Sequence, residues 1–344
     1  MRSGYIGIDT AFAKGKPLPI SICAWRSDRL VPERLRALSY GPPRGSGNAL
    51  ILDDALVWTF ADATAEYLLR ACRDLQIRPE RIAIDSPSRP RRADLKRRTS
   101  EAELSRRGIS CFATPSEAEF NEIRRKVALH LRTGPENRIP HGNQLWMLVG
   151  FALFERLSEI AECLEVYPQA TARVIGSGQV HKSQAEGLKA QLEQVAARTG
   201  WPSGDGEDPS LREIAWGPDH DCLDAYLSAW VAALPRIERI ALGEPPDDVI
   251  WVPRVSTDSA ARGAIQPALL PLESPDQRTA TEPRPERPSA GHREEFRCPA
   301  CGDFTFARWP WGWDGHAGYR CEGISGSDVE ERKREFKLRF GRLF

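Results

Sequence analysis

The most specific chemical pattern in the sequence is a group of three cysteines and one histidine near its end. It opens with a Cys-x-x-Cys turn, fourteen residues separate this turn from the histidine, and four more precede the last cysteine: Cys298, Cys301, His316 and Cys321. Structural Zn²⁺ takes four thiolate or imidazole ligands in a tetrahedron, and this spacing supplies them. The pattern therefore predicts a small zinc-binding module, with a redox-active Cys-x-x-Cys as the alternative interpretation.

A second group of candidate residues is acidic and is spread over most of the chain. Asp9 and Asp85 each end a short apolar run with the composition of a β-strand. Glu165 lies near the end of a further run, and Asp221 and Asp224 are three residues apart on one face of a predicted helix. Carboxylates hold Mg²⁺ or Mn²⁺, and two such ions about 4 Å apart activate water against a phosphodiester. Acids at strand ends and helix starts are also common without metal, so each alone has a structural interpretation.

Two basic segments are candidates for contact with a polyanion. Residues 89–107 hold eight Arg or Lys against three acids, and residues 332–342 hold six against one, in the pattern of an amphipathic helix. Such clusters bind phosphate backbones, and a solvated surface is the alternative interpretation of both. The residues predicted to contact nucleic acid are Arg91, Arg92, Lys96, Arg97, Arg98, Lys333 and Lys337. By contrast, Lys182 fits a surface lysine better than a phosphate contact, and His220 fits a helix cap.

The elements that must position the acids follow from hydrophobic patterning and composition. The predicted strands cover residues 5–9, 19–25, 49–52, 81–85, 163–168 and 249–255. The predicted helices cover residues 61–75, 143–161 and 219–234. This is an α/β order, and it brings Asp9 and Asp85 together if their strands are neighbours in one sheet.

Four motifs in this order give residues 4–255 a family resemblance. They are Ile6-Gly7-Ile8-Asp9, Ile84-Asp85-Ser86-Pro87 with the basic run behind it, Glu165-Val166-Tyr167-Pro168, and Asp221-Cys222-Leu223-Asp224-Ala225-Tyr226. Together they resemble the predicted RNase H-like nuclease family catalogued as domain of unknown function number 429. The resemblance implies an RNase H-like fold, a mixed five-stranded sheet flanked by helices. It also implies a set of site residues: Asp9, Asp85, Asp221 and Asp224 as metal ligands, and Glu165 as an auxiliary acid.

Composition divides the chain into three parts. We predict an RNase H-like domain at 1–255, a disordered linker at 256–293, and a zinc-binding module with a basic C-terminal helix at 294–344. The linker is rich in Pro, Glu, Arg, Ser and Thr, and it cannot bury enough apolar surface to offset the entropy of ordering. The zinc module lies outside the family resemblance.

Several function classes are disfavoured. Lys+Arg and Asp+Glu both number 48, so net charge gives no sign of a polyanionic partner, and basic surfaces must be local. The longest apolar segment, 145–154, is about half of the roughly 20 residues that cross a bilayer. We see no signal peptide, and the scattered cysteines suit a reducing cytoplasm, so we expect a cytoplasmic protein without membrane contact.

The leading hypothesis is a nuclease that hydrolyses DNA or RNA with carboxylate-held Mg²⁺ or Mn²⁺ and carries Zn²⁺ in its C-terminal module. The alternative is a non-catalytic adaptor that binds nucleic acid or protein through the zinc module. A nucleotide phosphohydrolase ranks last, because the turn after Asp9 has one glycine and no Walker-type motif is present.

Overall fold

The computed structural model describes residues 1–254, except 136, 137, 178, 179, 181, 205, 246 and 247. The predicted linker at 256–293 and the predicted zinc module at 294–344 lie outside the described residues.

A mixed sheet forms the centre of the fold. Its strands are β1 (Arg2–Asp9), β2 (Ile20–Arg26), β3 (Arg29–Pro32), β4 (Ile77–Asp85) and β5 (Glu162–Glu165). They lie in the order β3-β2-β1-β4-β5, with β2 antiparallel to both of its neighbours and β1, β4 and β5 parallel to one another. The expected mixed sheet of five strands is therefore present.

Helices flank this sheet. They are α1 (Asp54–Asp74), α2 (Thr99–Arg106), α3 (Glu117–His130), α4 (Gly142–Leu157), α5 (Pro168–Val174), α6 (Ala185–Thr199), α7 (Leu211–Ile214) and α8 (Asp219–Ala233). Short 3-10 turns cover Leu35–Ala37, Asn48–Leu52 and Arg236–Glu238. Among the described residues, no helix has both the length and the apolar content that crossing a membrane requires.

The two faces of the sheet carry separate parts of the core. Side chains alternate between the faces along a strand, so Ile6 and Ile8 point to one face while Gly7 and Asp9 point to the other. Ile6 and Ile8 pack in a buried cluster with residues of α1 and α4. On the opposite face, helix α8 lies across β1, β2 and β4. This alternation directs Asp9 towards the face that α8 covers.

Gly7 allows α8 to rest directly on β1. A Cβ atom at this position would lie 1.9 Å from the carbonyl oxygen of Ala225 and 2.3 Å from the amide nitrogen of Ala229. Non-bonded atoms do not approach so closely, so only glycine permits this contact of strand and helix backbones. The close approach brings the start of α8, which carries Asp221 and Asp224, over the end of β1.

A separate hairpin packs beside the main sheet. It consists of β6 (Arg239–Glu244) and β7 (Asp248–Pro253), paired antiparallel. Leu242 and Ile250 of the hairpin share a buried cluster with Leu104 of α2. Asp248 also caps α2, since its carboxylate accepts from the Thr99 amide at 2.5 Å. The hairpin thus fixes the segment that follows β4.

Three element predictions need correction. Residues 49–52 form a 3-10 turn and not a strand. The third strand of the main sheet is β3, which a tight turn at Ser27 (φ 59°) joins to β2. The predicted strand at 249–255 exists as β7, but it pairs with β6 in its own sheet, and the sequence analysis missed β6. Each error concerns a short segment whose pairing depends on tertiary neighbours.

Candidate functional site

Three predicted carboxylates converge at one edge of the main sheet. Asp9 and Asp85 are the last residues of two adjacent parallel strands, and they are direct partners in the register of β1 and β4. Asp224 reaches them from the second turn of α8. One carboxylate oxygen from each of the three lies within 4.8 Å of the others. We call Asp9, Asp85 and Asp224 the acidic centre.

Asp221 lies beside the acidic centre, on the same helix face as Asp224. Its Oδ2 atom is 2.6 Å from the Nζ atom of Lys16, and its Oδ1 atom is 3.1 Å from Nε2 of His220. Both oxygens therefore have a close neighbour, although Oδ2 is buried and makes no hydrogen bond within the described residues. The predicted helix-cap role of His220 is wrong, because the cap position of α8 is Pro218.

Lys182 forms an ion pair with Asp224. Its side chain is 19% exposed, so the expectation of a surface lysine is wrong. Together with Lys16, Lys182 places two ammonium groups against two of the four aspartates. One Asp224 oxygen, Oδ1, is nevertheless buried without a hydrogen-bond partner in the described part of the chain. The lysines therefore compensate the acidic charge only in part.

Burial and mutual repulsion make the acidic centre costly to ionise. The pKa of Asp9 is raised well above its usual value, first by burial and then by the charges of Asp85 and Asp221. Burial raises the pKa of Asp85 to about 7, although the Lys182 charge opposes the shift. The pKa of Lys182 is lowered, again chiefly by burial. Clustered carboxylates of this kind gain stability from a proton or a cation.

Glu165, the implied auxiliary acid, lies near the acidic centre and is bound by an arginine. It ends β5 opposite Ile84, so it lies at the same sheet edge as the acidic centre. Arg98 binds both of its oxygens, at 2.7 and 2.8 Å, and the Ser88 amide donates to Oε2 at 3.0 Å. Asp248 accepts from the same guanidinium at 3.1 Å. We call Glu165, Arg98 and Asp248 the paired network.

The basic run at 89–107 is not a uniform exposed surface. Arg98 is 3% exposed and Arg91 is 8% exposed, and the Arg91 side chain binds the Thr114 carbonyl oxygen and Glu119. Arg97 donates to the Cys111 carbonyl oxygen at 2.8 Å. These contacts correct the prediction for the two buried arginines, whose guanidinium groups serve internal partners and do not face a phosphate backbone.

Arg92 and Lys96 are the members of the predicted set that lie on the surface of this run. Arg92 forms an exposed ion pair with Asp94 at 2.6 Å. The remaining predicted contacts, Lys333 and Lys337, lie outside the described residues. The predicted zinc ligands, Cys298, Cys301, His316 and Cys321, lie outside them as well.

A cavity of about 220 Å³ opens beside the acidic centre. Asp9, Asp85, Glu165 and Arg98 form part of its wall, and three aromatic side chains form another part: Phe112, Trp146 and Tyr167. Thr10 and Ser86, which directly follow Asp9 and Asp85, also line it. The cavity therefore joins charged, hydroxyl and aromatic groups.

A second cavity of about 540 Å³ lies where α6 and α8 begin. Its charged or titratable lining residues are Arg36, Lys182, Arg212, His220 and Asp219, and the Asp219 carboxylate pairs with Arg212 at 3.0 Å. Because Lys182 borders both this cavity and the acidic centre, positive charge continues from the acids towards this cavity. We call it the basic cavity.

Sequence reasoning missed Lys16 as a site residue and set Lys182 aside. Lys16 lies in the loop between β1 and β2, and Lys182 lies between α5 and α6. For neither lysine does the number of residues that separate it from an acid predict a contact with that acid. The one available signal was that Lys16 lies in the loop that directly follows Asp9.

Comparison with known proteins adds one finding. Residues 46–248, more than half of the chain, match a family model described as protein of unknown function (DUF429). The matched range contains Asp85, Asp221 and Asp224, whereas Asp9 precedes it. No curated protein and no solved structure matches the chain.

Proposed function

The chain belongs to this DUF429 family of proteins of unknown function, and on that premise we propose that it is a metal-dependent nuclease hydrolysing phosphodiester bonds in DNA or RNA. The observation that carries the proposal is the acidic centre, in which oxygens of Asp9, Asp85 and Asp224 lie within 4.8 Å of one another. A fold gathers such charges at a cost, so a cation that binds there offsets a repulsion already present.

The donor set fits Mg²⁺ or Mn²⁺. All three side chains offer carboxylate oxygens, which hard divalent cations prefer over nitrogen or sulfur. Asp224 also keeps one buried oxygen without a hydrogen-bond partner in the described residues. We assign Asp9, Asp85 and Asp224 as the ligands, and Asp221 as a residue that holds Lys16 and His220 at the rim. A bound cation would lower the pKa of a water molecule and stabilise charge on the leaving oxygen.

The lysines handle the charge of the substrate. Lys182 lies against Asp224, and Lys16 lies against Asp221, so both ammonium groups border the place where a phosphodiester would meet the acids. When substrate binds, each ammonium group would interact with a phosphate oxygen in addition to its carboxylate. The basic cavity, with Arg36 and Arg212, lies next to this positive surface and would contact further phosphates of the nucleic-acid strand.

The topology supports the same class of activity. The first acid ends β1, the middle strand of the sheet, the second ends its parallel neighbour β4, and the last lies on α8. This order of strand, strand and helix is the one implied by the resemblance to RNase H-like nucleases. We therefore propose an RNase H-like assignment for the described domain.

The cysteines fit the proposed cytoplasmic location. The five in the described residues, Cys23, Cys72, Cys111, Cys163 and Cys222, are free thiols. Free thiols are usual where the compartment is reducing. The Zn²⁺ module remains a prediction from spacing alone, and its contribution to binding nucleic acid is part of the proposal.

Cleavage assays test the proposal. Zinc-loaded full-length protein is incubated with mixed DNA and RNA substrates in Mg²⁺ or Mn²⁺, beside Asp9→Asn and Asp224→Asn. Asp28→Asn is the matched control, since Asp28 is exposed in the turn between β2 and β3. We expect cleavage that needs the metal, disappears in both centre variants and persists in the control. Metal-independent binding without cleavage, unchanged by Asp9→Asn, would instead favour the adaptor.

A further inference from the structure

The aromatic side of the cavity beside the acidic centre has no role in the chemistry proposed above. Phe112 is 62% exposed, although large apolar side chains gain most when they are buried. Trp146 and Tyr167 line the same cavity, and the Trp146 ring is held by a hydrogen bond of 2.9 Å from Nε1 to Asn48. An exposed aromatic ring next to a polar site is a frequent feature of recognition surfaces.

The loop that carries Phe112 is anchored on both sides of the ring. The Tyr167 hydroxyl donates to the Ser110 carbonyl oxygen at 2.8 Å, and Arg97 donates to the Cys111 carbonyl oxygen at 2.8 Å. After the ring, the Thr114 amide donates to buried Glu101 at 2.8 Å. These bonds fix the backbone around Phe112 and leave its side chain exposed. A ring carried on an ordered backbone loses less entropy when a flat ligand stacks on it than a ring on a mobile loop does.

Two hydroxyl groups in the cavity wall have no hydrogen-bond partner in the part of the chain that the structure describes. Thr10 and Ser86 are each 7% exposed, and neither Oγ1 of Thr10 nor Oγ of Ser86 has a hydrogen-bond partner in the described residues. Buried polar groups are rarely left unpaired, because the loss of water contacts is costly. Both residues directly follow an acid of the centre, but their oxygen atoms are buried, and Ser86 Oγ packs against Gly150 of α4, so these residues form the wall of the cavity without offering their hydroxyls to a ligand.

We infer that this cavity binds one unpaired nucleobase stacked on Phe112, so that the substrate is single-stranded or locally opened nucleic acid. The inference rests on the proposed nuclease function and adds its substrate class. A cavity of about 220 Å³ admits one base and excludes a duplex, whose bases are stacked inside the helix. Every base has an aromatic face, so stacking on a ring is tolerant of sequence.

Binding of labelled oligonucleotides tests this inference. Full-length protein without added divalent cation is titrated with a single strand, the same strand made abasic, the matching duplex, and a duplex with an unpaired loop. We expect the base-containing strand to bind about tenfold more tightly than the abasic one, as removal of one stacking partner predicts. The looped duplex should bind more tightly than the fully paired one.

Variants locate the effect. Phe112→Ala should abolish the difference between normal and abasic strands, and Phe112→Tyr should retain it because the ring is kept. Leu129→Ala is the matched control, since Leu129 is 64% exposed on α3 and does not line the cavity. A wild type that binds abasic and normal strands equally, or that prefers the paired duplex, would overturn the inference. So would base-dependent binding that survives Phe112→Ala.

The two proposals fail separately. Metal-dependent cleavage that needs Asp9 but is indifferent to pairing and to Phe112 would retain the nuclease and remove the base-binding cavity. Base-dependent binding through Phe112 without cleavage in Mg²⁺ or Mn²⁺ would retain the cavity and remove the nuclease. Comparing cleavage of the single strand and the duplex in one reaction distinguishes these results.

Discussion

The acidic centre and the paired network lie at the same edge of the sheet but treat their carboxylates in opposite ways. In the paired network, Arg98 contacts both oxygens of Glu165 and one of Asp248. In the acidic centre, Asp9 and Asp85 face each other. Burial raises the pKa of Glu165 as well as those of Asp9 and Asp85, but the Arg98 charge opposes the shift at Glu165, whereas the charges of Asp85 and Asp221 add to it at Asp9. The acids of the paired network are therefore neutralised by a cation of the protein itself, whereas the acids of the acidic centre would gain stability from a bound cation. Position at a strand end does not make this distinction, because Glu165 also ends a strand.

The largest effect is expected when the arginine of the paired network is removed. Arg98→Met should lower the free energy of unfolding by about 3–5 kcal/mol, because it leaves Glu165 and Asp248 without the cation they share. Chemical denaturation measures the loss. Arg92→Met is the control, since its pair with Asp94 is exposed to solvent and its loss should leave stability nearly unchanged. A loss below about 1 kcal/mol in Arg98→Met would mean that the ion pairs of the network contribute little to the stability of the fold.

The second test adds the cation that we propose for the acidic centre. Mg²⁺ at about 100 times its dissociation constant should stabilise the protein by about 2.7 kcal/mol, since a ligand that binds only the folded state shifts the unfolding equilibrium. Thermal unfolding with and without Mg²⁺ measures the effect. Asp224→Asn should lose most of it, whereas Glu165→Gln should keep it because Glu165 is not in the centre. Equal stabilisation of both variants would contradict the assignment of ligands.

The third and smallest effect concerns pH. The folded pKa of Asp85 is about 7 against an ordinary value of 3.8, so between these values the folded state binds more protons than the unfolded state. Without metal, the stability contributed by this residue is therefore highest below pH 4 and falls as pH rises to 7. Asp85→Asn should be more stable than wild type by about 1–2 kcal/mol at pH 8, which is less than the full pKa difference because Asp85 is only half-buried.

Denaturation curves at pH 5 and pH 8 provide the check. The advantage of Asp85→Asn over wild type should grow with pH, and Asp28→Asn should show no such trend. Some pH dependence should persist in the variant, because the pKa of Asp9 is raised in the same direction. An advantage that is constant with pH would exclude ionisation of Asp85 as its cause.

The sequence predicted the acidic centre from local signals. Asp9 and Asp85 end apolar strands, and parallel neighbouring strands bring their ends together, as the register confirms. Asp224 was predicted from its spacing on α8. These signals sufficed because strand direction and helix periodicity determine where a side chain points. The family resemblance was also correct, since the family model matches residues 46–248.

The partners of charged residues were beyond local sequence. Arg98 belongs to a basic run, and such a run is usually exposed, but its partners Glu165 and Asp248 are 67 and 150 residues away. Lys182 likewise meets Asp224 from a loop. Ion pairs of this kind depend on the tertiary arrangement, which residue spacing does not contain. For the same reason, no local pattern indicated that Phe112 would line a cavity beside the acids.

The contact at Gly7 has a consequence for any attempt to change the site by mutation. Strand β1 and helix α8 touch backbone to backbone there, so the gap between Asp9 and Asp224 is set by main-chain atoms and not by a compressible side chain. No substitution at position 7 can widen that gap by a small step, since even a methyl group meets the Ala225 carbonyl oxygen at 1.9 Å. The distance between these two acids is therefore rigid. Accommodating a larger ion between them would require a shift of β1 or α8 as a whole.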